Sequence, residues 1–118
     1  MDKRLTQLEA VLRDELSVHE QLLAAMDRKL DALRRADSQA LAACCREENG
    51  LIQRIGDLEK QRLQYVADWT QHLDPAAPAP LRMGELAERL EEPARGRLLV
   101  LRAQLLERMR QVQHRSGA

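Results

Sequence analysis

Apolar residues recur every three or four positions along the first third of the chain. This spacing places successive side chains on one face of an α-helix. The pattern predicts a first helix over residues 3–35. Its members are Leu5, Leu8, Leu12, Leu16, His19, Leu23, Met26, Leu30 and Leu33.

A second pattern of the same kind follows Asp37, whose side chain can accept a backbone N–H as a helix N-cap. It predicts a helix over residues 38–72. The Asn49-Gly50 pair is a turn signal, but the apolar face stays in phase across it, which favours one unbroken helix. The face consists of Leu41, Cys44, Glu48, Leu51, Ile55, Leu58, Arg62, Tyr65 and Trp69.

The two helices have similar lengths and a short connection, which is typical of an antiparallel αα-hairpin. Residues that meet across its seam are expected to have numbers that sum to roughly 74. Two helices alone bury too little apolar surface for stability. A third helix, a second copy or a partner is expected to cover the apolar positions outside the seam, namely Leu22, Cys45, Ile52 and Val66.

The remainder of the chain predicts a tethered helical tail. Residues 74–80 read DPAAPAP, and these prolines favour an extended connector. A short helix is predicted over residues 83–91 and a longer one over residues 93–114. The expected organisation is therefore a hairpin (1–73), a linker (74–80) and a C-terminal helical region (81–118). Apolar residues cover an arc of about 160° on the last helix, so one part is expected to pack on the hairpin while another meets a partner.

Composition supports an all-α fold without a sheet. Aromatic residues are 2% of the chain, phenylalanine is absent, and apolar residues make up 44%. The abundant leucine, alanine, glutamate and arginine lose little freedom in a helix. The β-branched and aromatic residues never alternate with period two. The fold class is thus a long antiparallel helical hairpin with additional C-terminal helices.

Charge disfavours nucleic acid as a partner. The chain has 19 basic and 19 acidic residues and a formal net charge of zero, so no overall field attracts phosphates. The last helix is locally basic, with six arginines after Pro93 against the single acid Glu107. Without aromatic platforms, these arginines are expected to flank an apolar stripe or to face the acidic second helix.

No motif indicates catalysis, a cofactor or a metal. HExxH, CxxC and GxSxG are absent, and the glycines are scattered. His19 is expected to be a polar core residue, and Cys44 and Cys45 small core residues. The seam residues Glu48 and Arg62 either fix the register of the helices or extend from the edge of the seam, and the second account is favoured.

The chain lacks both a membrane-spanning segment and a signal-peptide core, so a cytoplasmic protein is expected. The free cysteines agree with a reducing compartment. Tyr65 and Trp69 lie one turn apart at the open end of the hairpin. They either fill that end against Leu5 and Leu8, which is the favoured account, or form a secondary site for a partner.

The sequence resembles the FlgN-like flagellar export chaperones, which keep hook-associated (hook-filament junction) proteins unassembled before export. The resemblance is strongest over LLAAMDRKLDALRRADSQALAACCREENGLIQRIGDLEKQR, and the tail from Leu86 to Val112 is similar to the third helical region of the family. Arg35-Ala36-Asp37 stands where the family more usually has a Gly-Asp turn.

The resemblance implies a non-enzymatic chaperone that binds a helical end of a hook-associated protein through its C-terminal amphipathic region and delivers it to the export apparatus. The alternative is a structural coiled-coil adaptor or scaffold subunit that self-assembles through the same apolar stripe. The identity of the cargo and the oligomeric state, including a homodimer, stay open at this point. The implied contact residues are Leu98, Leu101, Leu105, Leu106, Met109 and Val112.

Overall fold

The fold is described from a computed structural model, which describes residues 3–116. Within that range the chain forms four helices and no strand: α1 (Lys3–Arg34), α2 (Ser38–Leu73), α3 (Met83–Glu88) and α4 (Ala94–Ser116). The molecule measures 56 × 25 × 22 Å. The predicted all-α class is confirmed. In this part of the chain, no helix has the combination of length and apolar character needed to cross a membrane.

The turn between α1 and α2 combines a helix C-cap with a helix N-cap. The N–H of Asp37 donates to the carbonyl of Ala32 (3.0 Å), and the N–H of Ala36 donates to that of Leu33 (3.1 Å). This pair of bonds is a Schellman motif, in which one residue is left-handed. Ala36 takes that role, with φ of 53°. The Asp37 side chain then accepts the N–H of Ala40 at 3.0 Å. Asp37 thus takes part in the C-cap of α1 through its backbone and caps α2 through its side chain.

The two long helices are antiparallel, as predicted, and three ion pairs connect them across the seam. The residue numbers of each cross-seam pair add up to 75 or 77, close to the expected value. Glu48 and Arg62 each form an ion pair across the seam, with side chains that are 11% and 18% exposed. The favoured account, in which these side chains extend from the edge of the seam, is therefore wrong. The pairs are Glu15–Arg62, Arg28–Glu47 and Lys29–Glu48.

Near the turn, α1 presents a different face to α2 from the one predicted. Leu30 and Leu33 are 47% and 53% exposed, whereas Ala25 and Ala32 are 0% and 1% exposed. The alanines lie one turn on either side of Lys29, which pairs with α2. Small side chains let two helix backbones approach closely. The leucine spacing therefore misidentified the contact face at this end of the hairpin.

Helix α4 runs parallel to α1, and a ladder of arginines connects them. In each pair of the ladder the two residue numbers differ by 88, so the two helices keep a constant register over its whole length. The expectation that these arginines face the acidic second helix is wrong, because their partners are the acids of α1. The pairs are Glu9–Arg97 (3.2 Å), Glu20–Arg108 (3.4 Å) and Asp27–Arg115 (2.9 Å).

The main hydrophobic cluster lies at the end of the molecule opposite the turn, which we call the α3 end. All four helices contribute to it, including Leu86 and Ala87 of the short α3, both 0% exposed. The N–H of Leu81 donates to Thr70 Oγ1 at 2.9 Å, which attaches the end of the proline-rich connector to α2. The core residues are Leu5, Leu8, Val11, Leu12, Val18, Leu58, Val66, Trp69, Leu86, Ala87, Leu98, Leu101 and Leu105.

Candidate partner-binding groove

An open groove lies between α2 and α4. Helix α4 packs along α1 rather than along α2, so α2 and α4 flank α1 without closing over it. Two cavities have walls from both α2 and α4. We call this feature the α2–α4 groove.

The cavity nearer α3 has a volume of about 140 Å³. One side chain comes from α2, one from α3 and four from α4. Its lining is mainly apolar, with two arginines at its edge. The lining residues are Arg62, Met83, Arg102, Leu105, Leu106 and Met109.

The cavity at the turn end has a volume of about 540 Å³. It lies beside the last described turn of α4. Exposed leucines of α1 and Ile52 of α2, which is 53% exposed, form its apolar part. The lining residues are Met26, Asp27, Lys29, Leu30, Leu33, Glu48, Ile52, His114, Arg115 and Ser116.

The six contact residues implied by the resemblance differ in how far they are exposed: a buried group, an exposed group and Val112 between them. Leu98, Leu101 and Leu105 are buried against the rest of the molecule, with exposures of 0%, 8% and 4%. Leu106 and Met109 are 49% and 39% exposed and line the cavity nearer α3. Val112 is half-buried. Only the second group and part of Val112 are accessible while α4 is docked.

The two aromatic candidates, Trp69 and Tyr65, also differ in how far they are buried. Trp69 is 2% exposed and belongs to the main hydrophobic cluster, so its indole is not at the surface. Tyr65 is half-buried, and its hydroxyl accepts a 3.0 Å hydrogen bond from Gln61. Tyr65 also borders a surface cavity lined by Lys3, Arg4, Gln7 and Asp68.

Sequence reasoning missed the leucines of the turn-end cavity. Leu30 and Leu33 belong to the predicted seam, so they were expected to be covered by α2. Ile52 could have indicated this surface, because it lies outside the α2 seam and is among the apolar positions that another helix or a partner is expected to cover. Of the other three such positions, Leu22 and Val66 are buried within the chain, whereas Cys45 is exposed.

Buried charges lie under the groove. Glu15 is 2% exposed, and its carboxylate oxygen Oε1 lies 2.9 Å from Nε of Arg62. Burial raises the pKa of Glu15, and the Arg62 guanidinium only partly opposes this rise. Near the turn, the hydrogen bond to Glu48 raises the pKa of Lys29. These pairs connect α1 with α2, and Arg62, Lys29 and Glu48 are themselves among the residues that line the two cavities.

His19 and the two cysteines line neither cavity of the groove. His19 is 5% exposed, and its Nδ1 lies 2.6 Å from the carbonyl oxygen of Glu15. Cys44 is buried as expected, but Cys45 is exposed, so its assignment to the core is wrong. In residues 3–116, no group of three or more His, Cys, Asp or Glu side chains is arranged to hold a metal ion.

An apolar groove between two helices is the kind of surface that receives an amphipathic helix of another protein. The fold and the groove thus define an α-helical protein with a partly apolar open surface. Comparison with protein families is more specific, because the family described as FlgN protein matches residues 1–116. The chain belongs to the FlgN family. The earlier resemblance is confirmed.

Membership of this family makes the protein a flagellar export chaperone, and the family is not one of enzymes. Comparisons with curated proteins and with solved structures yield no match. The family assignment covers both the hairpin and the C-terminal helices.

Proposed function

We propose that this chaperone binds a helical segment of a hook-associated protein in the α2–α4 groove. The complex forms in the cytoplasm, prevents premature assembly of the cargo and delivers it to the flagellar export apparatus. The observation that carries the proposal is the open position beside α1. The three long helices α1, α2 and α4 leave a position at which a further long helix would pack, and exposed apolar side chains are among the residues that line it.

The exposed residues of the groove have the character of a helix-binding surface. Leu106 and Met109 contribute apolar side chains at one cavity, and Leu30, Leu33 and Ile52 contribute them at the other. The unbranched methionine side chain adapts to the shapes of different helices. A bound amphipathic helix would cover apolar surface that is otherwise exposed to water on both molecules.

The groove also explains how cargo can bind without disrupting the chaperone. Leu98, Leu101 and Leu105 already pack inside the molecule, and they hold α4 in place as one wall of the groove. Leu106 and Met109 lie on the exposed part of the same helix. In this mechanism the first group positions α4 and the second contacts the cargo.

The test is the binding of purified helical fragments from the termini of the host hook-associated proteins. The double variant Leu106→Glu/Met109→Glu should weaken binding by about a hundredfold or more, because two apolar contacts are replaced by charges. Far-ultraviolet circular dichroism should show unchanged helix content. Leu105→Glu is less informative, because Leu105 is buried and its loss would disturb the fold.

Val100→Glu is the matched control for this test. Val100 is 55% exposed on α4 and lines neither cavity of the groove. Its replacement should change affinity by less than about twofold. If the double variant binds the fragments as tightly as the wild type does, the α2–α4 groove is not the cargo site.

A further inference from the structure

One arginine of the groove differs from the others of α4. Arg102 is exposed, and in residues 3–116 it has neither an ion pair nor a hydrogen bond from its side chain. The other five arginines of this helix all have partners. Three form the ladder to α1, Arg110 pairs with Glu107, and Arg95 donates to the carbonyl of Leu90 at 2.9 Å.

Arg102 lies at the edge of the cavity nearer α3, which it shares with Arg62 of α2. Arg62 directs its Nε–H to Glu15. A guanidinium group has five N–H donors, so most of those on Arg62 are not used in this pair. Two cations therefore border one small apolar cavity, and only one of them is neutralised by a neighbouring acid.

We propose that the helix bound in the groove carries a glutamate or aspartate whose carboxylate pairs with Arg102, beside Arg62. This inference rests on the proposed function and specifies the chemistry of the partner. Arginine favours carboxylates because its planar group can donate two parallel hydrogen bonds.

The spacing along α4 limits where the acid can lie in the partner. Leu106 and Met109 follow Arg102 by four and seven residues, so the three side chains share one face of α4. A helix packed alongside this face meets them in the same order. The expected cargo segment has an acidic residue about one or two turns from its apolar anchors.

The composition of the cavity favours a protein helix over a phosphate group. Met83, Leu105, Leu106 and Met109 form most of its lining, and these side chains offer no hydrogen bonds to phosphate oxygens. A single unpaired arginine among apolar groups suits an amphipathic helix with an acidic edge. A nucleic acid would instead need several cations and aromatic platforms.

The experiment measures the affinity of the same purified terminal fragments of hook-associated proteins for variants of the full chain. Arg102→Glu should weaken binding by about thirtyfold and Arg102→Gln by about fivefold, because a partly exposed interfacial ion pair is lost or reversed. Raising the salt concentration should weaken wild-type binding more than binding by Arg102→Gln. An acidic residue of the fragment, changed to arginine, should restore binding to Arg102→Glu.

Arg54→Glu is the control, since Arg54 is an exposed arginine of α2 that lines neither cavity. It should leave affinity within about twofold of the wild type. Unchanged binding by Arg102→Glu, or an equal loss with Arg54→Glu, would overturn the carboxylate contact. If Leu106→Glu/Met109→Glu still abolishes binding in that case, the groove stands and only this inference fails. If no fragment binds the wild-type chain, both proposals fail.

Discussion

The two ends of the molecule are built differently. At the α3 end, α1 is enclosed, and Leu8, Leu86 and Leu98 from three different helices are all 0% exposed. At the turn end, Leu30 and Leu33 of the same α1 are about half exposed. The one helix thus passes from a closed core into an open groove. We therefore expect stability to come mainly from the α3 end, because apolar side chains at the turn end remain exposed.

The charged pairs show the same contrast. Glu15 and Arg62 form a pair whose side chains are 3% and 18% exposed. Arg28 and Glu47, near the turn, have side chains that are 53% and 45% exposed. Water competes for the second pair and much less for the first. Changes of the same chemical kind should therefore have different effects at the two ends.

The largest expected effect is that of Trp69→Ala. Trp69 is 2% exposed in the main cluster, so its removal should lower the free energy of unfolding by about 3–5 kcal/mol. Leu33→Ala, at the turn end, should lower it by less than about 1 kcal/mol. Urea unfolding followed by circular dichroism measures both values. Similar losses for the two variants would contradict the proposed difference between the ends.

The next largest expected effect on stability is the loss of a cation from the Glu15–Arg62 pair. Arg62→Gln should lower the free energy of unfolding by about 3 kcal/mol, because it leaves the buried Glu15 carboxylate without its cation. Arg28→Gln removes a cation from an exposed pair and should cost about 0.5 kcal/mol or less. The same urea titrations test this prediction, which fails if the two arginines contribute equally.

The Glu15–Arg62 pair also predicts that the free energy of unfolding depends on pH. Burial raises the pKa of Glu15 above the ordinary glutamate value, which is about 4.3. Between these two pKa values the folded protein retains a proton that the unfolded chain has lost, so this group reduces stability as the pH rises. Glu15→Gln should remove that contribution. Arg62→Gln should extend it to higher pH, because Arg62 lowers the pKa of Glu15. Unfolding measured from about pH 4 to pH 8 separates the variants.

The smallest effect is expected at the turn and has the opposite sign. Ala36 has φ of 53°, a conformation that costs a residue with a Cβ atom about 1–2 kcal/mol. Glycine avoids this cost but has more freedom in the unfolded chain. Ala36→Gly should therefore raise the free energy of unfolding by about 0.5–1 kcal/mol.

Ala24→Gly is the matched control for the turn variant. Ala24 is exposed in the middle of α1, where glycine should cost about 1 kcal/mol. The two Ala→Gly changes should thus shift the unfolding midpoint in opposite directions. A loss of stability in Ala36→Gly would show that the turn does not restrain Ala36 as described.

Much of the fold could be predicted because its signals are local. The leucine spacing predicted α1 and α2, and the Asp37 cap signal placed the turn between them. The contact face near the turn could not be predicted this way. Ala25 and Ala32 are weak apolar signals, yet both are buried on the face of α1 that includes Lys29.

The position of α4 could not be predicted from local sequence patterns. An arginine can pair with any acid, so composition alone did not distinguish α1 from α2 as the partner of the last helix. The wide apolar arc predicted two roles for α4. It did not indicate that Leu98, Leu101 and Leu105 would be buried while Leu106 and Met109 remain accessible, because that division depends on how the helix is rotated against α1.

The arginine ladder has a consequence for the shape of the groove. Its acids on α1 are separated by eleven residues and then by seven, so the first and last lie eighteen residues apart. Eighteen residues make five turns of an undistorted α-helix at about 3.6 residues per turn. Repeated spacings of seven draw paired helices into a left-handed supercoil, and spacings of eleven into a right-handed one. With one of each, the two tendencies cancel. The spacing of the ladder therefore imposes no net supercoil on α1 and α4, and the α2–α4 groove follows their common, straight direction.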